Sequence, residues 1–248
     1  MNETLNLADQ TSARGPHTTP VLSAGPDPTS RPLLLAEGLQ AAHCDAEPLT
    51  LVLHPGDRVG LLRGAQQDLR GLLRALARLE VPAAGHLLWN GIDVTRRPLW
   101  LLPRDLRHQV LLLWANPYAL IEPGHSVHWA RAVRGRAASG TSPDQLCASG
   151  LSPAVGEFST GALSGVALVR LALAYVRLRQ PRIVLVDDVF AHLVPESWPE
   201  LLAALEDTAG EAGALVIASR HRQAVAAMTR IVVLGSGPEG QVSANRDS

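Results

Sequence analysis

The segment Arg58-Val-Gly-Leu-Leu-Arg-Gly64-Ala-Gln-Gln-Asp-Leu-Arg70-Gly71-Leu72 reads as strand, tight loop and helix, the order in which a chain builds a phosphate-binding loop. A loop of the G-x-x-x-x-G-K-[ST] type uses glycines so that backbone N–H groups can wrap phosphates, a Lys to reach them and a hydroxyl to hold Mg²⁺. Counting from Gly64 puts Leu69 at the second glycine, Arg70 at the Lys and Gly71 at the hydroxyl. Aligning from the following helix moves Leu69 onto the Lys position instead. In both registers the Lys and the hydroxyl are missing, so the segment has the outline of an ATP site without its gripping groups. Arg70 retains a positive charge, but its planar head needs space that Leu69, in place of Gly, takes away. One close charge in such a site is worth about 4 kcal/mol at 4 Å and an effective dielectric near 20, or roughly a thousandfold in affinity.

The elements around this segment follow from patterning. Residues 1–31 are rich in Pro, Gly, Ser and Thr with no helical or strand period, and are expected to be a disordered tail. Leu33–Leu35, Leu49–Leu53 and Arg58–Leu62 read as short strands, the last two joined by the turn His54-Pro-Gly-Asp57. Gln66–Leu79 reads as a helix whose Leu69, Leu72, Leu73, Leu76 and Leu79 form an apolar face, with Arg70, Arg74 and Arg78 as a solvated stripe. Asn90-Gly91 between apolar segments predicts a β-hairpin. A strand is expected over Arg107–Trp114, a loop over 116–124, and a weakly helical region over 125–157. Beyond that come helix 162–179, strand 182–187, helix 197–207, strand 214–218, helix 222–228 and strand 230–234. Continuous apolar strands alternating with helices predict a parallel sheet covered on both faces.

Composition narrows the function classes. With 248 residues and 46% hydrophobic content the chain can bury a full core, and its formal net charge of −1 argues against a nucleic-acid partner. All 22 basic residues are Arg, which a GC-rich coding sequence explains without selection at any one site. The two cysteines, Cys44 and Cys147, make neither a disulfide framework nor a four-ligand zinc site, which fits a reducing cytoplasm. The N-terminus is acidic and lacks the apolar core of a secretion signal, so no export is expected. Arg170 and Arg177 interrupt the longest apolar tract, Ala162–Leu178, which therefore reads as a buried helix, with no direct membrane insertion expected.

Several segments, in order, resemble the ATP-binding cassette (ABC) subunits of transporters, particularly oligopeptide and nickel importers, over residues 33–236. Val59–Gly64 with Leu72–Glu80 resembles the phosphate loop and its helix, Gly85–Val94 the β-subdomain hairpin, and Asn116–Pro123 the importer stretch after the glutamine loop. The resemblance implies an α/β fold: a P-loop NTPase-like core with a mostly parallel sheet, an antiparallel β-subdomain and a shortened helical subdomain. The implied boundaries are a cassette domain over 32–240, its helical part about 116–160, and a flexible C-terminus over 241–248.

By the same resemblance, Gly64, Arg70, Ser159, Thr160 and Gly161 are the nucleotide-binding positions, Asp187 is associated with Mg²⁺, and Asp188 stands where a catalytic Glu belongs. Phe158–Ala162 occupies the place of the signature Leu-Ser-Gly-Gly-Gln, matching at Ser159 and Gly161 and departing at Thr160 and Ala162. In the family these groups meet the ATP held by the opposite subunit at a helix N-terminus, whereas Ser159 read by itself is equally a helix cap. Asp188 is one methylene short of Glu, which withdraws a carboxylate that must reach its water to about 2.6–3.2 Å. Asp187 and Asp188 read without the family simply finish a strand and face solvent. Ala115 replaces the glutamine of its loop, Ala191–Val194 lacks the following Asp, and His221 is one place from the switch histidine, where a solvent-facing helix-start residue is the plainer reading.

The implied function is a non-hydrolysing or regulatory cassette subunit that pairs with an intact ATPase subunit and a membrane permease, cytoplasmic and peripheral at the inner membrane face. ATP and Mg²⁺ are then bound weakly or supplied by the partner. A weak ATPase using Arg70, Asp187 and Asp188, and a free-standing scaffold, are the alternatives.

Overall fold

The computed structural model describes residues 31–42, 47–63, 69–116, 151 and 160–234. The two expected terminal segments and nearly all of the expected helical subdomain lie outside these residues. Four strands, β1 (Leu34–Gln40), β2 (Leu49–Leu53), β4 (Ala84–Trp89) and β5 (Ile92–Asp93), make an antiparallel sheet in the order β2-β1-β4-β5. Its β4–β5 hairpin turns at Asn90 and Gly91, whose φ angles of 47° and 68° are those of the two-residue turn that Asn-Gly favours.

Five strands form a second, parallel sheet in the order β6-β7-β8-β3-β9: β3 (Arg58–Arg63), β6 (Val110–Leu113), β7 (Ile183–Asp187), β8 (Ala214–Ser219) and β9 (Arg230–Leu234). Successive side chains alternate between its faces. Val59, Leu61, Ile183, Leu185, Ala214, Val216 and Ala218 turn to one core, shared with the antiparallel sheet and with Leu72, Leu73 and Leu76 of α1 (Arg70–Leu76). Val184, Val186, Leu215 and Ile217 turn to the other, beneath α3 (Gly165–Arg179), α4 (Trp198–Ala209) and α5 (Arg222–Val225). Both faces are covered, which is why these strands read as unbroken apolar runs. On β3, Gly60 allows α5 to lie close, since a Cβ there would stand 2.6 Å from Val225 Cβ.

Several elements depart from expectation. The strand expected over Arg107–Trp114 begins only at Val110, because α2 (Arg104–Arg107) precedes it, after a 3-10 turn over Leu99–Leu101. Four-residue helices carry too little periodicity to be read from sequence. Helix α1 starts at Arg70, and the helix expected over 222–228 closes at Val225. The cap of α3 is Ser164, whose side chain accepts a hydrogen bond from the Ala167 N–H at 3.3 Å.

The arginine stripe is solvated only in part: Arg70 is exposed and Arg74 half-buried, but Arg78 is buried. Arg78 lies beyond α1, is 5% exposed and adopts a φ of 54°. It donates to the carbonyls of Val94 at 2.5 Å, Glu80 at 3.0 Å and Arg97 at 3.1 Å. Arg74 pairs with Glu80 at 2.7 Å and lies over the Trp114 ring, 5.6 Å from its centroid. Arg170 and Arg177 of α3 pair with Glu200 and Asp207 of α4.

After α2, desolvation and then the charges of Arg179, Arg104 and Arg107 hold the His108 imidazole below its ordinary pKa of 6.5. Between the folded value and 6.5 the unfolded chain binds the extra proton, so stability falls as pH drops through that window. Tm measured between about pH 7.5 and 5.5 is expected to decline with acid, and His108→Gln to remove part of that slope. An unchanged slope in the variant counts against this origin.

Candidate functional site

The C-terminal ends of β7 and β8 and the start of α1 come together, as expected for the carboxyl edge of a parallel sheet where α/β proteins bind ligands. Register places Asp187 beside Ala218, and Ser219 beside Leu62 of β3. Asp187 is the last residue of a strand buried throughout, and it is itself 6% exposed. The Arg70 guanidinium, 117 residues away in sequence, donates from Nε to Asp187 Oδ2 at 3.2 Å. Two residues expected to serve a phosphate site are thus brought together, and they face each other.

Asp188 takes a left-handed turn, φ 35°, and is tied back to β8. Its N–H donates to the Ala218 carbonyl at 2.8 Å, Ser219 Oγ donates to its Oδ1 at 2.7 Å, and Arg220 Nε stands 3.6 Å from its Oδ2. Ser219 Oγ also accepts from the His221 N–H at 3.0 Å. The two acids therefore do not finish a strand toward solvent: one is buried and the other half-buried, each with a guanidinium partner.

His221 does begin a helix, as the N-cap of α5, but it is half-buried and does not face solvent freely: its ring packs on Trp198 at 5.2 Å between centroids. The group that reaches Asp188 is Arg220, the first residue after β8 and the one that sequence reasoning passed over. Its signal was its place next to the strand end. Trp198 in turn packs edge-on to Phe190 at 5.7 Å and donates from Nε1 to the Leu193 carbonyl at 3.3 Å, fixing the segment that follows Asp188.

Thr160 and Gly161 lie on a different segment, the 3-10 turn Thr160–Ala162 that leads to α3, with Gly161 exposed. Gly64 and Ser159 lie outside the described residues. Leu69, at the position of a phosphate-loop glycine, is 3% exposed and belongs to the core.

No protein-family model matches the chain. The thiamine import ATP-binding protein ThiQ of Cereibacter sphaeroides is 32% identical over 174 residues, which cover 67% of this chain and 71% of that protein. The chain belongs to the ATP-binding subunits of ABC transporters. The Fe(3+) ions import ATP-binding protein FbpC 1 of Rhizobium meliloti is 26% identical over 80% of the chain, and the methionine import ATP-binding protein MetN of Xylella fastidiosa 27% identical over 77%. Of those two relatives the chain spans 56% and 58%.

Solved ABC cassettes share the fold. CbiO1 of Clostridium perfringens, described as part of the ABC transporter complex cbiONQ, superposes with a TM-score of 0.66 at 18% identity, over 83% of this chain and 85% of that one. The cassette MJ0796, in a dimer bound to ADP and Pi, superposes with a TM-score of 0.68 at 14% identity, over 87% and 99%.

Within this ABC subunit the described donors do not suit Mg²⁺. That ion demands oxygen ligands at about 2.0–2.1 Å in near-octahedral order. Asp187 Oδ2 is engaged by Arg70, and both oxygens of Asp188 have partners. A divalent ion on Asp187 would have to displace the Arg70 guanidinium or share the carboxylate with it.

Proposed function

We propose that this chain is a non-hydrolysing, regulatory ABC subunit of an importer, paired with an intact ATPase subunit whose ATP it closes with Ser159, Thr160 and Gly161. The observation that carries the reading is the ion pair between Arg70 and Asp187 at 3.2 Å, with Leu69 packed in the core where a phosphate loop needs glycine. Phosphoryl transfer depends on positioning and on charge stabilisation, and here the positive group at the loop neutralises the chain's own carboxylate. Asp188, held by Ser219 and Arg220, anchors a turn in this reading and does not activate water.

The import role rests on relatives named for import of thiamine, ferric ions and methionine. The finer assignment to a peptide or nickel type rests on the Asn116–Pro123 stretch alone. In this reading the chain sits at the inner face of the membrane through a permease, since no described helix is long and apolar enough to cross one. ATP and Mg²⁺ are then held chiefly by the partner subunit.

The test is steady-state hydrolysis by the purified chain. Turnover is expected below about 10⁻² s⁻¹, a hundredfold under the ~1 s⁻¹ low end of ordinary enzymes, and Asp188→Asn is expected to leave that background unchanged. Micromolar Mg-ATP binding with turnover that Asp188→Asn abolishes would establish the weak ATPase instead.

A further inference from the structure

We propose that the Asp187–Asp188 carboxylate pair is a cation-free site, in which the guanidinium groups of Arg70 and Arg220 take the counter-ion role of a divalent metal and make this edge of the sheet insensitive to one. The inference concerns the chain's own residues and stands whether or not the chain pairs with an intact ATPase.

Three observations carry it. Asp187 is buried at the end of a fully buried strand, so its charge requires a close counter-ion, and Arg70 supplies one from a distant part of the chain. Arg70 is the first residue of α1, whose first turn holds no acidic residue. A cation at that end of a helix opposes the backbone dipole, and Asp187 offsets this, so carboxylate and guanidinium each need the other there. Asp188 has its own set of ties, the Ser219 hydroxyl at 2.7 Å and Arg220 at 3.6 Å, and its backbone N–H is bound to Ala218. Carboxylates at the end of a parallel sheet ordinarily attract a hard cation, but here each oxygen with an identified partner faces a donor.

The experiment uses Mn²⁺ as the probe, without nucleotide, on the full chain, with the free ion counted by electron paramagnetic resonance. The wild type is expected to show no Asp187-dependent binding up to about 1 mM, so that Asp187→Asn changes nothing. The variant Arg70→Gln/Arg220→Gln is expected to gain one site at least about tenfold tighter, and adding Asp187→Asn to it is expected to abolish the gain. Circular dichroism and Tm establish that the variants are folded, and Arg70→Gln alone serves if the pair of changes unfolds the chain. Wild-type binding that Asp187→Asn removes overturns the proposal, and so does a folded arginine variant that gains no site. ATP turnover by the chain would defeat the regulatory reading without touching this result, because no nucleotide is present.

Discussion

Leu69→Gly is expected to lower the free energy of unfolding by about 3–5 kcal/mol and to give no gain in affinity for Mg-ATP. The change restores, on paper, the glycine that a phosphate loop needs. In the folded chain, however, Leu69 is 3% exposed, packs in the core between the two sheets, and offers its carbonyl to the Leu73 N–H at 2.9 Å. Deleting such a side chain removes its transfer free energy and leaves a cavity, and glycine adds backbone freedom to the unfolded state. Urea denaturation and ATP titration of the same sample check both halves. A near-neutral Leu69→Gly that acquires micromolar ATP binding would mean that the loop is merely obstructed, and that the ion pair at Asp187 yields readily to phosphate.

Arg78→Met is expected to cost about 3 kcal/mol, far more than a surface arginine, read as a shift in the urea midpoint at unchanged slope. Burial lowers the Arg78 pKa from its usual value, yet the group is held by three carbonyls on three residues, Val94, Glu80 and Arg97. Met fills much of the same volume but returns no donor, so acceptors that Arg78 now satisfies lose their partner at about 1–3 kcal/mol for each one left buried. The desolvation relieved by removing the charge offsets part of this. A cost under about 0.5 kcal/mol, typical of exposed positions, would show that the clamp between the end of α1 and the segment after β5 contributes nothing.

How much was legible in the sequence follows the range of the interactions concerned. The Asn90-Gly91 hairpin, the strands β7, β8 and β9 and the long helices α3 and α4 are set by neighbours a few residues away, and their patterns declared them. The arginines of the first helix illustrate the limit. Their spacing looked like a solvated face, but Arg78 falls after the helix ends, in a left-handed conformation that no periodicity signals, and Arg74 finds Trp114 from the end of β6. The site shows the same division. That Lys and hydroxyl are missing was plain from the residues themselves, whereas the pairing of Arg70 with Asp187 joins positions 117 apart and exists only once β7 lies beside α1. Neither Arg220 nor His221 is singled out by the residues alone; the fold sends Arg220 to Asp188 and the His221 ring to Trp198.

The strand order of the parallel sheet bears on how the protein is made. β3 comes from early in the chain, yet both of its neighbours, β8 and β9, come from late in it. While a ribosome is still extending the polypeptide, the hairpin sheet has all of its strands available and can settle, but Arg58–Arg63 waits with both edges unpaired. Such edges recruit other strands, and non-local parallel pairing forms slowly. The nascent protein therefore passes through a stage in which an apolar ribbon seeks partners, so holdase chaperones should raise its yield and synthesis without them should favour inclusion bodies.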